Sequence, residues 1–193
     1  MTDALLRCGW EMRTEAEREY HDTRWCVPLH DDRELFAMLC LEGMQAGLSW
    51  ALILKREAGI RAAFDQFDPV RVAAYDQAKK DALYLDPRII RNRRKIDAVV
   101  QNAQAFLAVQ QRFGSFDAYI WQFSSGVPEV HHPAALSDVP TRSPLSERVS
   151  ADLIARGFRF VGPVIVYSYL QAIGVCNDHL ETCAFKYARK DVQ

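Results

Sequence analysis

Leu39-Cys40-Leu41-Glu42-Gly43-Met44-Gln45-Ala46-Gly47-Leu48-Ser49-Trp50 is a mainly apolar segment that starts inside a helix. Asp31 and Asp32 can cap that helix, and from Arg33 onward apolar residues recur every three or four positions on adjacent faces. A helix that is apolar around most of its circumference is buried. Glu42 is therefore predicted to be a carboxylate among apolar neighbours, which is costly unless it has a partner or a function.

Glu42 taken alone is at least as consistent with a structural carboxylate, satisfied by backbone N–H groups or by an arginine. Its neighbours add two features. Gly43 and Gly47 let another group approach closely, and Trp50 offers a flat surface for stacking. An acid, a gap and an aromatic plate together indicate a pocket for a flat, polar or cationic ligand.

The composition is that of an ordinary globular protein, and its length suits one domain over residues 1–193. Hydrophobic residues make up 49% and charged residues 25%, and the formal net charge is −1, so any nucleic-acid contact must come from a local patch. The longest apolar run, 161–175, is too short to cross a bilayer, and no membrane partner is expected. Five scattered cysteines indicate a reducing compartment and not a disulfide framework. Asp3 interrupts the first residues and leaves too short an apolar run for a signal peptide, so we expect a cytoplasmic protein.

Helical periodicity runs through most of the chain, and no convincing alternating strand appears, so the predicted fold class is all-α. His131 and His132 stand in the loosest segment, 124–146, where we interpret them as loop residues and not as metal ligands. Beyond the helix that holds Glu42, the predicted helices cover residues 49–57, 91–113, 116–123, 146–156, 162–174 and 177–185.

A metal site is indicated near the C-terminus. His179 and Cys183 are four residues apart on the last predicted helix, so both side chains project from one face. Cys8 and His21 are the best distant candidates to complete a closed tetrahedral set, which implies structural zinc with no catalytic water. The alternative is that the two cysteines are ordinary buried thiols, since spacing alone does not bring the pairs together.

Two further segments could bind phosphate. The turn Arg156–Pro163 places Gly157 and Gly162 between two predicted helices, where free backbone N–H groups can cradle an anion with help from Arg159. The alternative is a plain turn between helices. The run 88–95 holds five cations, Arg91 among them, and is either a phosphate-binding patch or a solvated helix face.

With these segments in view, the chain resembles the DNA-3-methyladenine glycosylase I family, whose members have a helix–hairpin–helix architecture. The similar motifs lie in order along nearly the whole chain, which makes them far more specific together than singly. They are Cys8-Gly9-Trp10, Tyr20-His21-Asp22, Leu41-Glu42-Gly43, Gln45-Ala46-Gly47-Leu48-Ser49-Trp50, Ile89-Ile90-Arg91-Asn92, Arg156-Gly157-Phe158, Phe160-Val161-Gly162-Pro163, Tyr167-Ser168 and Asn177-Asp178-His179.

The resemblance implies both a metal centre and a base pocket. One zinc ion would be held by Cys8, His21, His179 and Cys183, bracing the terminal segments 1–30 and 175–193 around a helical core. Tyr20, Glu42 and Trp50 would line the pocket for a damaged base with Ser168 nearby, and Glu42 is the candidate catalytic residue. The sequence departs from the family pattern at Asp86-Pro87-Arg88, where a small residue and glycine are usual. It departs again at Cys26, usually glycine, and at Met44, usually glutamine.

The function so implied is excision of N3-methyladenine from alkylated double-stranded DNA by a monomeric protein. No general base for the attacking water is evident, and capping of the last helix is the expected role of Asp178. One competing hypothesis is a non-catalytic, zinc-braced module that binds damaged DNA through the same pocket and hairpin. Another is a zinc hydrolase in which His21 or His179 stands beside an open metal position.

Overall fold

The structure is a computed structural model that describes residues 5–187. It is predominantly helical, as the periodicity predicts. The helices are α1 (Glu15–Thr23), α2 (Asp32–Gln45), α3 (Trp50–Ala63), α4 (Pro69–Ala73), α5 (Gln77–Leu85), α6 (Arg93–Phe113), α7 (Phe116–Trp121), α8 (Pro144–Ala155) and α9 (Pro163–Ala172). Short 3₁₀ turns at Trp10–Arg13, Asp65–Phe67, Gln122–Ser124 and Leu136–Asp138 connect them.

Helix α2 is the centre of the fold. Asp31 caps it, with its side chain accepting from the backbone N–H of Glu34, and every residue from Leu35 to Met44 is buried. It packs against α3, α6, α7 and α9, so apolar side chains face it from all sides. The prediction that this mainly apolar helix is buried is confirmed, and Glu42 lies within its buried part.

Several helix boundaries differ from the predicted ones. Ser49 caps α3 as expected, but the helix continues through Gly59 to Ala63. Gly59 is small because Arg88 crosses it: a Cβ at this position would lie 3.1 Å from the Arg88 Cβ. Helix α6 begins at Arg93, two residues late, because Asn92 caps it through the N–H of Lys95.

Helices α8 and α9 form the predicted helix–turn–helix unit. Helix α8 begins earlier than expected, at Pro144, because Ser143 and Ser146 cap each other. The turn starts at Gly157, whose φ of 93° lies in the left-handed region that glycine tolerates. Pro163 then opens α9, which ends at Ala172.

The predicted final helix over 177–185 is wrong. Residues 178–187 form turns, and Cys176–Asn177 pairs in parallel with Glu129–Val130. Each strand has two residues, which is too short to show an alternating pattern in the sequence. Backbone groups here have distant partners: the N–H of Glu181 donates to the Pro133 carbonyl, and that of Ala184 to the Leu6 carbonyl. These long-range bonds replace the local i to i−4 bonds of a helix.

No helix among residues 5–187 is both long and apolar enough to cross a membrane.

Candidate functional site

A pocket of about 300 Å³ opens beside α2. Aromatic rings form most of its walls, and the polar groups are few. It is lined by Trp10, Tyr20, Trp25, Glu42, Gln45, Trp50, Leu136, Val139, Ser168 and Gln171. The four residues that the sequence assigned to a base pocket, namely Tyr20, Glu42, Trp50 and Ser168, all lie in this one cavity.

Glu42 is 4% exposed, and its carboxylate has no hydrogen-bond or ion-pair partner among residues 5–187. Burial raises its pKa from 4.5 to about 8, because desolvation disfavours the charged form. The structural alternative, a carboxylate satisfied by backbone N–H groups or an arginine, therefore does not describe this residue. An unpaired buried acid in a cavity wall is a candidate ligand-binding group.

Tyr20 and Trp50 form an aromatic corner next to Glu42. Their ring centroids lie 5.1 Å apart with an interplanar angle of 59°. Tyr20 is buried, and its pKa is raised by desolvation and by the nearby Glu42 carboxylate. The indole Nε1 of Trp50 is buried and has no hydrogen-bond partner within residues 5–187. The corner offers a flat apolar surface, a hydroxyl and a carboxylate within one pocket.

Gly43 and Gly47 do not line this pocket. A Cβ on Gly43 would lie 3.6 Å from the Cβ of Phe160, so Gly43 makes room for the α8–α9 turn and not for a ligand. Gly47 has a φ of 75° and allows the chain to turn between α2 and α3. The interpretation of the glycines as a gap beside Glu42 is therefore wrong.

The four predicted metal ligands converge near the C-terminal end of α1. The ligand atoms of Cys8, His21, His179 and Cys183 all lie within 4.8 Å of one another, and all four residues are buried. Nδ1 of His179 lies 3.4 Å from each cysteine sulfur, and Nε2 of His21 lies 3.7 Å from the Cys183 sulfur. His179 and Cys183 do not project from one face of a helix, since 177–185 is not helical, but the two predicted ligand pairs do meet.

The cluster fits a tetrahedral metal ion. Zinc bonds of about 2.3 Å to sulfur and 2.0–2.1 Å to nitrogen place tetrahedral sulfur and nitrogen ligands roughly 3.5 Å apart, close to the observed separations. His21 is also oriented for this role, because its Nδ1 lies 2.8 Å from Asp22, which Arg7 in turn binds. Four side chains close the set, so the cluster offers no open position of the kind a zinc hydrolase needs.

The α8–α9 turn packs on α6. The side chain of Asn102 accepts from the backbone N–H of Arg159 and donates to its carbonyl, at 2.7 and 3.0 Å. Arg159 itself is exposed, whereas Arg156 pairs with Asp152 at 2.5 Å. Among residues 5–187 the backbone N–H groups of Phe160 and Gly162 have no hydrogen-bond partner. The turn thus presents free donors and one free cation.

The basic run 88–95 divides into outward and inward residues. Arg91, Arg93 and Arg94 are exposed, and Arg94 lies with Arg159 in one shallow surface depression. Lys95 is buried, and its Nζ donates to the carbonyls of Met44 and Ala46 at 2.7 Å each. Arg88 pairs with Asp86 at 2.6 Å. The two alternatives, a phosphate-binding patch and a solvated helix face, therefore apply to the exposed arginines and not to Lys95.

Asp178 is not a helix cap, because no helix follows it in the described part of the chain. Its buried carboxylate accepts from the side chains of Tyr167, Gln171 and His131, at 2.6–2.7 Å. His131 thus has a defined partner, and His132 pairs with Glu181.

Comparison with known proteins agrees with this geometry. A family model described as Methyladenine glycosylase matches residues 10–187. The chain belongs to this family. It is 45% identical to DNA-3-methyladenine glycosylase 1 of Escherichia coli K12 over 179 residues, which are 93% of this chain and 96% of the relative.

Solved structures of the family superpose closely. A crystal structure of 3-methyladenine DNA glycosylase I has a TM-score of 0.90 and 44% identity, covering 93% of this chain and 98% of that one. A structure from Staphylococcus aureus, described as showing the basis of 3-methyladenine recognition, has a TM-score of 0.91 and 37% identity. It covers 95% of this chain and 97% of its own.

One departure from the family pattern, Cys26, falls at a strained backbone position. Cys26 has a φ of 60°, in the left-handed region where glycine, the usual family residue, costs least. The Cys26 N–H donates to the Gln171 carbonyl at 2.9 Å, which holds the strained residue against α9.

Trp10 and Trp25 belong to the aromatic-rich N-terminal segment, whose composition indicates an arm that either plugs the core or helps line a pocket. Sequence reasoning missed four other side chains of the pocket: Gln45, Leu136, Val139 and Gln171. Gln171 had a usable signal, since it follows Ser168 by three residues and so shares its face of α9. Gln45 is the last residue of α2, where nothing in the pattern distinguishes it.

Proposed function

We propose that this protein hydrolyses the N-glycosidic bond of 3-methyladenine in alkylated double-stranded DNA, the first step of base-excision repair. The observation that carries the proposal is Glu42, a buried and unpartnered carboxylate in an aromatic-walled pocket. Membership in the methyladenine glycosylase family supports a glycosylase activity. A base inside a duplex is out of reach, so the target nucleotide must be flipped into this pocket.

The pocket suits a flat base that carries positive charge. Trp50 would stack on the purine and gain from the charge through a cation–π contribution. The positive charge of the methylated base favours the ionised form of Glu42. The carboxylate would then accept a hydrogen bond from the exocyclic amine of adenine and repel the oxygen that guanine carries at that position. The Tyr20 hydroxyl would supply a second hydrogen bond, and Ser168 lies further along the wall.

Methylation at N3 makes adenine cationic while it is still attached to the sugar, so it leaves as a neutral molecule when the C–N bond breaks. The base takes both electrons of that bond. Water forms the new C–O bond at the sugar carbon and releases one proton. Because the leaving group is already activated, the chain needs no strong general acid. This agrees with a pocket whose wall holds a single carboxylate among residues 5–187.

DNA binding is assigned to the α8–α9 turn and to nearby cations. The free backbone N–H groups between Gly157 and Gly162 would contact a phosphate, with Arg159 beside them. Arg91 is exposed on the same basic run as Arg94, which shares a depression with Arg159. These residues supply the local positive patch that a net charge of −1 requires.

The metal is assigned as one structural Zn²⁺ per chain, held by Cys8, His21, His179 and Cys183. Two sulfur and two nitrogen ligands in a closed set are typical of zinc. When bound, zinc would tie the segment around Cys8 to the C-terminal segment and add to the free energy of folding. Tyr20 directly precedes His21, so the same brace would fix the position of a pocket residue.

The chain is proposed to act as one domain and as a cytoplasmic monomer. Its buried apolar residues form one cluster that includes residues from α1 to α9. All five cysteines are buried and free, as in a reducing compartment. The proposed brace includes 1–30 and 175–193, of which residues 1–4 and 188–193 lie outside the described part of the chain.

The test is release of free bases from methylated duplex DNA, separated by chromatography, for wild type, Glu42→Gln and Trp50→Ala. We expect wild type to release 3-methyladenine with little 7-methylguanine, and both variants to be weakened. Folded, zinc-replete wild type that binds the lesion but releases no base would instead identify a non-catalytic damage-binding module. Tyr75→Phe, far from the pocket, is the control for handling and should match wild type.

A further inference from the structure

The carboxylate of Asp178 fixes the orientation of one amide in the pocket wall. Asp178 is 1% exposed and lies behind α9. Its Oδ2 accepts from the Tyr167 hydroxyl and from the Gln171 Nε2, both at 2.7 Å, and its Oδ1 lies 2.6 Å from Nδ1 of His131. A carboxylate has no hydrogen to give, so each of these three groups must donate to it.

This arrangement decides which way the Gln171 amide points. Nitrogen and oxygen of an amide are distinguished by their hydrogen bonds, and an amide oxygen placed 2.7 Å from a carboxylate oxygen would be repelled. The nitrogen of Gln171 therefore faces Asp178. Its Oε1 is the remaining polar atom of a side chain that lines the pocket, and it has no hydrogen-bond partner among residues 5–187.

The depth of Gln171 indicates what it contacts. Gln171 is 9% exposed, while Ser168, one turn earlier on the same face of α9, is half-buried. A flipped nucleotide inserts its base first and keeps its sugar at the mouth. The Gln171 oxygen therefore faces the base. Like the Glu42 carboxylate, it is a hydrogen-bond acceptor in the pocket wall, and an acceptor on the base would leave such a group unpaired at a cost.

We propose that Gln171 is a specificity-determining residue, whose side-chain oxygen accepts a hydrogen bond from an N–H donor of the bound base. Asp178 is the positioning residue that keeps this oxygen turned toward the pocket. The inference rests on the proposed function, because it assumes that the ligand of the pocket is an excised purine. In 3-methyladenine the N–H donor that Gln171 recognises is the exocyclic amine.

The test compares binding of two free bases that differ at one position: 3-methyladenine and its 6-oxo analogue, 3-methylhypoxanthine. Tryptophan fluorescence reports binding, since Trp10, Trp25 and Trp50 line the pocket. Wild type should prefer the amino base. Gln171→Met keeps the length of the side chain but removes its oxygen, and should reduce the preference about tenfold. Asp178→Asn should reduce it in the same direction, because its amide can donate and lets Gln171 turn over.

Tyr167→Phe is the matched control. It removes a different donor from the same Asp178 oxygen, does not touch the pocket wall, and should keep the wild-type preference. Metal content and Tm are measured for every variant, because Asp178 adjoins the proposed ligand His179. If Asp178→Asn does not fold, Gln171→Met decides alone.

The outcomes separate the two proposals. Wild type that prefers the amino base, with the preference unchanged in Gln171→Met, overturns the inference and leaves the proposed function standing. Equal binding of both bases by wild type also overturns it. Wild type that prefers the amino base through Gln171 but releases none from methylated DNA supports the inference and removes the catalytic assignment.

Discussion

The pocket and the metal cluster both bury polar side chains, and they share α1, where Tyr20 belongs to the pocket and the next residue, His21, to the cluster. In the cluster each ligand atom faces other ligand atoms at 3.4–3.7 Å. In the pocket the Glu42 carboxylate and the Trp50 N–H have no partner among residues 5–187. A single metal ion would satisfy all four ligand atoms of the cluster. The Glu42 and Trp50 groups stay unpaired until a larger ligand enters the pocket.

This difference separates stability from function. A closed set of four ligands contributes to folding and has no position for substrate. An unpaired buried acid costs stability and is retained where a ligand uses it. Variants of the cluster should therefore lower stability first, and variants of the pocket should lower activity first.

The largest expected effect on stability is loss of a metal ligand. Cys183→Ala should lower the free energy of unfolding by roughly 3–5 kcal/mol and Tm by about 10 °C, because metal binding and folding are coupled. Calorimetry and metal analysis of the purified variant measure both effects. The protein that remains folded should lose less base-release activity per molecule than Glu42→Gln does.

Cys40→Ala is the matched control, since Cys40 is also buried and free but lies outside the cluster. Its cost should be about 1 kcal/mol, with unchanged metal content. Equal losses in the two variants, or wild type that contains no stoichiometric metal, would contradict the structural role of the cluster.

The largest expected effect on activity without loss of stability is Glu42→Gln. The amide keeps the shape of the side chain but removes a charged acceptor, so release of 3-methyladenine should fall about 10–100-fold. The folded protein should be at least as stable as wild type, because no carboxylate is then buried unpaired. A variant with wild-type release kinetics would remove Glu42 from the site.

The pH dependence of stability should carry the signature of the same residue. The pKa of Glu42 is raised from 4.5 to about 8 in the folded protein, so the folded state binds the proton more tightly than the unfolded state. Its contribution to stability is present below pH 4.5, is lost as the pH rises toward 8, and is constant above that. Wild type should lose at most about 5 kcal/mol relative to Glu42→Gln across that window.

Denaturant unfolding of the two proteins at a series of pH values measures this difference. Parallel profiles would mean that water or a partner already satisfies the carboxylate.

The parts of the molecule that sequence predicted well are those fixed by local pattern. Apolar periodicity placed Glu42 on a buried helix, and Ser49 and Gly157 marked a start and a stop that the structure contains. The family resemblance predicted that Cys8 and His21 meet His179 and Cys183, which the spacing of these residues in the sequence could not show. Local pattern failed at 177–185, because distant backbone partners compete there with helical hydrogen bonds.

The orientation of individual side chains also escaped sequence reasoning. Lys95 is one of five cations in a run, and nothing in the run shows that it alone points inward. The sequence predicts space for a ligand at Gly43, but a Cβ there would lie 3.6 Å from the Phe160 Cβ and 3.7 Å from the Phe160 carbonyl oxygen. Both are consequences of how α2, α6 and the α8–α9 turn pack together, which is tertiary information.

Substitution of Lys95 tests whether one buried residue can affect both stability and base release. Its ammonium group binds the last carbonyls of α2, directly before the turn that leads to Trp50. Lys95→Met should cost about 1.5–3 kcal/mol and also weaken base release, because the turn between Glu42 and Trp50 loses its anchor. Denaturant unfolding and base-release kinetics on the same preparation would show whether both change. A change in stability alone would limit Lys95 to folding.

The smallest expected effect comes from Arg91, an exposed cation of the same run. Arg91→Met should leave the free energy of unfolding within about 0.5 kcal/mol of wild type. If Arg91 contacts a phosphate, the slope of log K against log salt for duplex binding should become shallower by about one, equally for methylated and unmethylated DNA. An unchanged slope would assign Arg91 to a solvated helix face, and the phosphate contacts would then rest on Arg159 and the free N–H groups of the α8–α9 turn.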